Sequence, residues 1–72
     1  MNREIKERIE RIRGNIEYLE RNRISEEMKR HNRELYEVSE EFRGLVKEQR
    51  RLEDNALGIC AKEIERLTEM LK

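Results

Sequence analysis

The sequence predicts an all-α fold: a helical hairpin with a short helix A laid on a long helix B–C, two copies of which associate into a coiled-coil-like bundle. Three observations carry this expectation. Ile5, Ile9, Ile12, Ile16 and Leu19 are spaced 4-3-4-3, and Met28, His31, Leu35, Val38, Phe42, Leu45, Gln49 and Leu52 resume the 3-4 rhythm. A sustained 3-4 repeat is the seam of coiled-coil packing. The rhythm fails once, between Leu19 and Met28, where unbroken heptads would put Glu26 on the stripe. Finally, a stripe two residues wide per heptad is too narrow to close a core around one chain, so the missing burial is expected from a second copy.

Helix A is expected over about 2–21. Its stripe is Ile and Leu, and the flanking positions are polar apart from Tyr18. Asn22 tolerates the left-handed conformation that ends a helix, and Ser25 followed by Glu26 and Glu27 reads as the cap of the next helix. A turn is therefore expected over 22–25, with Ile24 packing beside it as a staple. So short a connection makes its helices antiparallel neighbours.

Helix B–C is expected over about 26–71. Near 56–60 the stripe drifts by one residue: Ala56 and Ile59 keep the first register, whereas Leu57, Cys60, Ile64, Leu67 and Leu71 follow a displaced one. A continuous helix absorbs such a stutter by local unwinding. The alternative is a kink or break near 54–58, with Asp54 capping a third helix and Gly58 weakening the chain by about 1 kcal/mol. A continuous helix would be roughly 68 Å long, more than twice helix A. Gly14 and Gly44 lie off the stripe, at surface positions or where another backbone comes close.

Composition places the chain among charged, helix-forming coiled coils: 47% charged, 4% aromatic, no proline and zero net charge. At 72 residues it is a single domain of marginal size. Lone Cys60 excludes an internal disulfide and reads as a small buried hydrophobe. The longest apolar run, Ala56 to Ala61, is too short to span a bilayer, and no signal-peptide pattern opens the sequence. The expectation is a cytoplasmic protein with no membrane partner. Glu–Arg pairs at i,i+4 (Glu4/Arg8, Glu7/Arg11, Glu17/Arg21, Glu26/Arg30) support the helices and fit a thermophilic source, as they fit any solvated coiled-coil surface.

The expected oligomer interface is Ile5, Ile9, Ile12, Ile16, Leu19, Met28, His31, Leu35, Val38, Phe42, Leu45, Gln49, Leu52, Ile59, Ile64, Leu67 and Leu71. His31 and Gln49 occupy stripe positions where a buried polar group sets register. The sharper reading of His31, a pH sensor or metal ligand with Glu27 and Glu34, rests on one imidazole and two flexible carboxylates. The arginine-rich stretch of Arg21, Arg23, Lys29, Arg30 and Arg33 surrounds the expected turn, and arginines beside a helix N-terminus suit phosphate. No aromatic residue interleaves it for base stacking.

Two short stretches resemble enzyme motifs. Glu37-x-x-Glu40 resembles half of the metal-binding pattern of MazG-like nucleotide pyrophosphatases. The other half, Glu-x-x-Asp, is not matched, because Arg51 stands three residues before Asp54. Ile12-Arg13-x-x-Ile16-Glu17-x-Leu19-Glu20 resembles the first helix of the all-helical chorismate mutases, where Arg13 and Arg30 would bind a dicarboxylate. The apolar run that follows in that family is Arg-Asn-Arg-Ile-Ser-Glu-Glu here. The resulting expectation is a non-enzymatic oligomerisation or protein-interaction module without catalytic residues, cofactor or metal. Its partner is itself, as a homodimer, or another helical protein. The alternative is a small nucleic-acid-binding regulator using the turn arginines, and a small helical enzyme ranks third.

Overall fold

The computed structural model describes residues 2–72. It contains α1 (Asn2–Arg21), α2 (Ile24–His31), α3 (Arg33–Val38) and α4 (Glu40–Met70). The first helix ends where its stripe does. The long helix, however, begins at Glu40 rather than at 26, because the chain leaves helical geometry at Asn32 and again at Ser39. Asn and Ser side chains compete for backbone hydrogen bonds and favour helix ends over interiors. Asn32 donates from its side chain to the carbonyl of Met28 at 3.1 Å, and the Ser39 hydroxyl accepts the N–H of Phe42 at 3.1 Å as the N-cap of α4.

The reversal of the chain also lies elsewhere than expected. Arg23 meets Asp54, Ser25 meets Glu53, Glu26 meets Arg50, and the carbonyls of Tyr36 and Glu37 meet Arg43. Numbers on one side fall as those on the other rise. Residues 2–31 thus form one arm antiparallel to α4, and the turn spans 32–39 and contains α3. α1 and α2 each pack on α4 and not on one another. The expected turn over 22–25 is instead a joint within the first arm. The Tyr18 carbonyl accepts both the N–H and the side-chain amide of Asn22, at 2.9 and 3.0 Å, and Arg23 is extended before the helix restarts. No non-glycine residue among those described takes a positive φ, so Asn22 is not the left-handed stop expected of it.

The helix is continuous through 54–60. The one-residue drift there marks two neighbouring faces of a straight helix. The displaced register, Leu57, Cys60, Ile64, Leu67 and Leu71, faces inward and is half-buried or buried, whereas Ile59 of the first register is exposed. Towards the turn the inner line continues through Glu53, Gln49 and Val46. Ile9, Val46 and Leu67 are the buried apolar residues, and Ile5, Ile12, Ile16, Leu19 and Met28 are half-buried.

A hairpin of this kind is thin. Its principal extents are 54 × 16 × 10 Å and its radius of gyration is 16.5 Å, against about 11 Å for a compact chain of this length. It exposes 6139 Å². A compact monomer of 8.9 kDa exposes about 4,800 Å². No helix of the described residues is long and apolar enough to cross a membrane.

Candidate interaction surface

α4 carries more apolar surface than its own chain covers. Leu45, Leu52 and Ile59 recur at intervals of seven and are 60%, 50% and 68% exposed, while Leu67 on the inner line is 1% exposed. Residues seven apart drift by only about 20° around a straight α-helix, so these three side chains form one outward line. Val38, at 79% exposure, and Leu35 extend it in sequence onto α3. Gly44 and Gly58 lie beside it, and a Cβ built on either meets nothing within 4 Å. Its outer edge carries Glu41, Glu48, Asn55 and Lys62, a row with its negative charges towards the turn and its positive charge towards the far end. Glu48 pairs with Arg51 and Glu63 with Arg66, and the arginine hydrogen bonds hold both carboxyls below the ordinary range.

What presents this line is a polar clasp between the arms. Ser25, 2% exposed, donates its hydroxyl to Oε1 of Glu53 at 2.6 Å and its N–H to Oε2 at 3.2 Å; Gln49 adds a longer bond at 3.4 Å. Glu53 thereby occupies the N-terminus of α2, where orphan N–H groups and the helix dipole favour an anion. Burial raises its pKa, but bonds from the Ser25 hydroxyl and N–H, the Gln49 amide and the Ile24 N–H outweigh that effect, and the net shift is downward. Alongside, Arg23 donates to Asp54 at 2.9 Å, a hydrogen bond that raises the guanidinium pKa further. No buried side-chain nitrogen or oxygen among the described residues lacks a partner. Ser25 is thus not the N-cap expected of it. The cap position falls on Arg23, which makes no side-chain cap bond, and the cap oxygens come from α4. No local pattern signals this, since Ser25 and Glu53 stand 28 residues apart.

The other expected site residues separate into three groups. Ile5, Ile9, Ile12, Ile16, Leu19, Met28, Ile64, Leu67 and Leu71 line the joint between the arms rather than an outer face. Phe42 and Gln49 are half-buried between the two faces, and Gln49 serves the clasp. His31 is not a stripe residue within a core: its side chain is 68% exposed and its Nε2 lies 3.0 Å from Glu27, because the chain leaves the helix at the next residue.

Arg21, Arg23, Lys29, Arg30 and Arg33 surround no turn. Arg21, Arg23, Lys29 and Arg30 are strung along the first arm and Arg33 opens α3, with Arg23 on Asp54, Arg30 on Glu27, and the Lys29 ammonium 5.1 Å from the Tyr36 ring centre. The real turn carries Glu34 and Glu37 and is followed by Glu40 and Glu41, against Arg33 alone, so it is net acidic. Where α2 and α3 lie against α4, Lys29, Arg43, Lys47 and Arg50 line an open groove with Glu26 and Glu40. There Arg43 is committed to carbonyls and Arg50 stands 3.8 Å from Glu26. Surface ion pairs on single helices form mainly at i,i+3, as in Glu10–Arg13 and Glu27–Arg30, with Arg3–Glu7 at i,i+4. Cys60 is a free, half-buried thiol on the inner face of α4. No family model, no curated protein and no solved structure matches this chain.

Proposed function

We propose that this chain is a helical self-association module, which functions as a homodimer joined through the outer line of α4. The observation that carries this reading is the row of Leu45, Leu52 and Ile59, at least half exposed at heptad spacing on the longest helix. Scattered surface leucines need no explanation, but a contiguous apolar line in register does. Area points the same way. The chain exposes about 1,300 Å² more than a compact monomer of its mass. Covering that excess on two copies would bury roughly 2,600 Å², within the range of permanent homodimers. A second copy supplies an equivalent line at no cost in additional sequence, and the closed pairing of identical patches is the commonest oligomer symmetry.

Solution mass tests the reading. Light scattering or sedimentation at micromolar concentration should give twice the chain mass of 8.9 kDa. Leu45→Glu combined with Leu52→Glu should give the single-chain mass, because a charged pair on the seam opposes its partner. A wild-type chain that sediments as a monomer, or a double variant that stays dimeric, overturns it.

A further inference from the structure

We infer that the two α4 helices of the dimer run antiparallel, with the two-fold axis beside Leu52. This rests on the self-association reading above. Two features of the outer face place the axis beside Leu52. Leu45 and Ile59 stand seven residues either side of Leu52, so an antiparallel pair places Leu52 on its own copy and Leu45 on the partner's Ile59. The same axis runs the outer edge of each helix along that of its partner. It also sets Glu41 against the partner's Lys62, twice per dimer.

Side chains flanking an antiparallel seam meet their own equivalents across it, whereas in a parallel pair each edge meets the opposite edge. The inner edge of α4 holds the α1–α2 arm. Antiparallel pairing therefore brings the two arms to the same side of the seam, with α1 of each chain, which lies beyond Asp54 along its own α4, directed towards the turn-proximal half of the partner. Parallel pairing leaves the arms on opposite sides. It also stacks the acidic turns of both chains, Glu34, Glu37, Glu40 and Glu41, against each other, a like-charge arrangement that disfavours the pairing.

Disulfide trapping reads the orientation. In a Cys60→Ala background, Leu52→Cys should crosslink with itself on mild oxidation. Leu45→Cys and Ile59→Cys should each fail alone and crosslink when mixed. Self-crosslinking of Leu45→Cys and Ile59→Cys as efficient as that of Leu52→Cys would mean parallel pairing and overturn the inference, while a dimeric mass would leave self-association standing. A dimer in which none of the three crosslinks joins through another face, and that too overturns it. A monomeric mass removes both. Charge reversal gives a second reading without cysteines. Glu41→Lys should weaken dimerisation about tenfold at low salt, and adding Lys62→Glu should restore it. Equal weakening in the single and double variants counts against the register.

Discussion

The Ser25 hydroxyl lies 2.6 Å from Oε1 of Glu53, and the Ser25 N–H lies 3.2 Å from Oε2, so one carboxylate on α4 holds both donors of a residue on α2. Removing one partner leaves the other buried without its bonds, which costs about 1–3 kcal/mol. Glu53→Ala and Ser25→Ala are each expected to destabilise the fold by that amount. The double variant should fall short of the sum by about 1 kcal/mol or more, because the two losses are one interaction. Urea denaturation of the four proteins at one fixed concentration measures the coupling, and additive losses would show that the clasp contributes nothing jointly.

The same carboxylate makes stability depend on acid. Burial alone would raise the Glu53 pKa, yet its hydrogen bonds to Ser25, Gln49 and Ile24 bring the folded value below the ordinary 4.5. A folded pKa below the unfolded one contributes stability above the unfolded value, and that contribution is lost as pH falls through the folded value. The wild type should lose stability progressively below pH 4.5. Glu53→Gln, which has no carboxylate to protonate, should be less stable at neutral pH and show a shallower decline in melting temperature across the same window. Parallel declines would sink this assignment.

Ser39 caps the helix on which everything else is mounted. Its hydroxyl accepts the Phe42 N–H at 3.1 Å. Ser39→Ala should cost about 1 kcal/mol, and Ser39→Asp, which keeps a cap acceptor, should cost much less. Thermal melts of the two variants at equal concentration separate them, and equal losses would show that the hydroxyl is not acting as a cap.

Depth, not stripe membership, should decide which apolar positions matter to the fold. Leu67, 1% exposed, is expected to cost about 2–5 kcal/mol as Leu67→Ala. His31 lies on the sequence stripe but its side chain is 68% exposed, so His31→Leu should change stability by no more than about 0.5 kcal/mol. A large loss at His31 would place it within a packed interface.

Much of this arrangement is legible in the residues. The limits of α1 follow from its Ile/Leu stripe and the Asn22 stop, whereas the one-residue drift at 56–60 leaves a stutter and a break open, and the structure has the helix continuous there. The position of the turn is hidden for a specific reason. Asn22 and Ser25 mark the end of one helix and the start of another, but end signals carry no information about direction. Ser39, followed by Glu40 and Glu41, is an equally good start signal. It is masked because Leu35, Val38, Phe42 and Leu45 keep their 3-4 phase straight through it. The inner face of α4 beside Val46 is also hidden from an apolar pattern, since its next positions are Gln49 and Glu53.

The helical class, the limits of the first helix and an apolar stripe too narrow to close a core around one chain are all written in the residues. Those properties come from local periodicity and composition, which act within a few turns. Where the chain reverses, which of two adjacent registers faces inward, and that Glu53 anchors the start of α2 emerge only from the folded chain. Each of these depends on a pairing between residues far apart in the chain, where a buried carboxylate must find its donors or remain unpaired. That pairing turns Leu45, Leu52 and Ile59 outward.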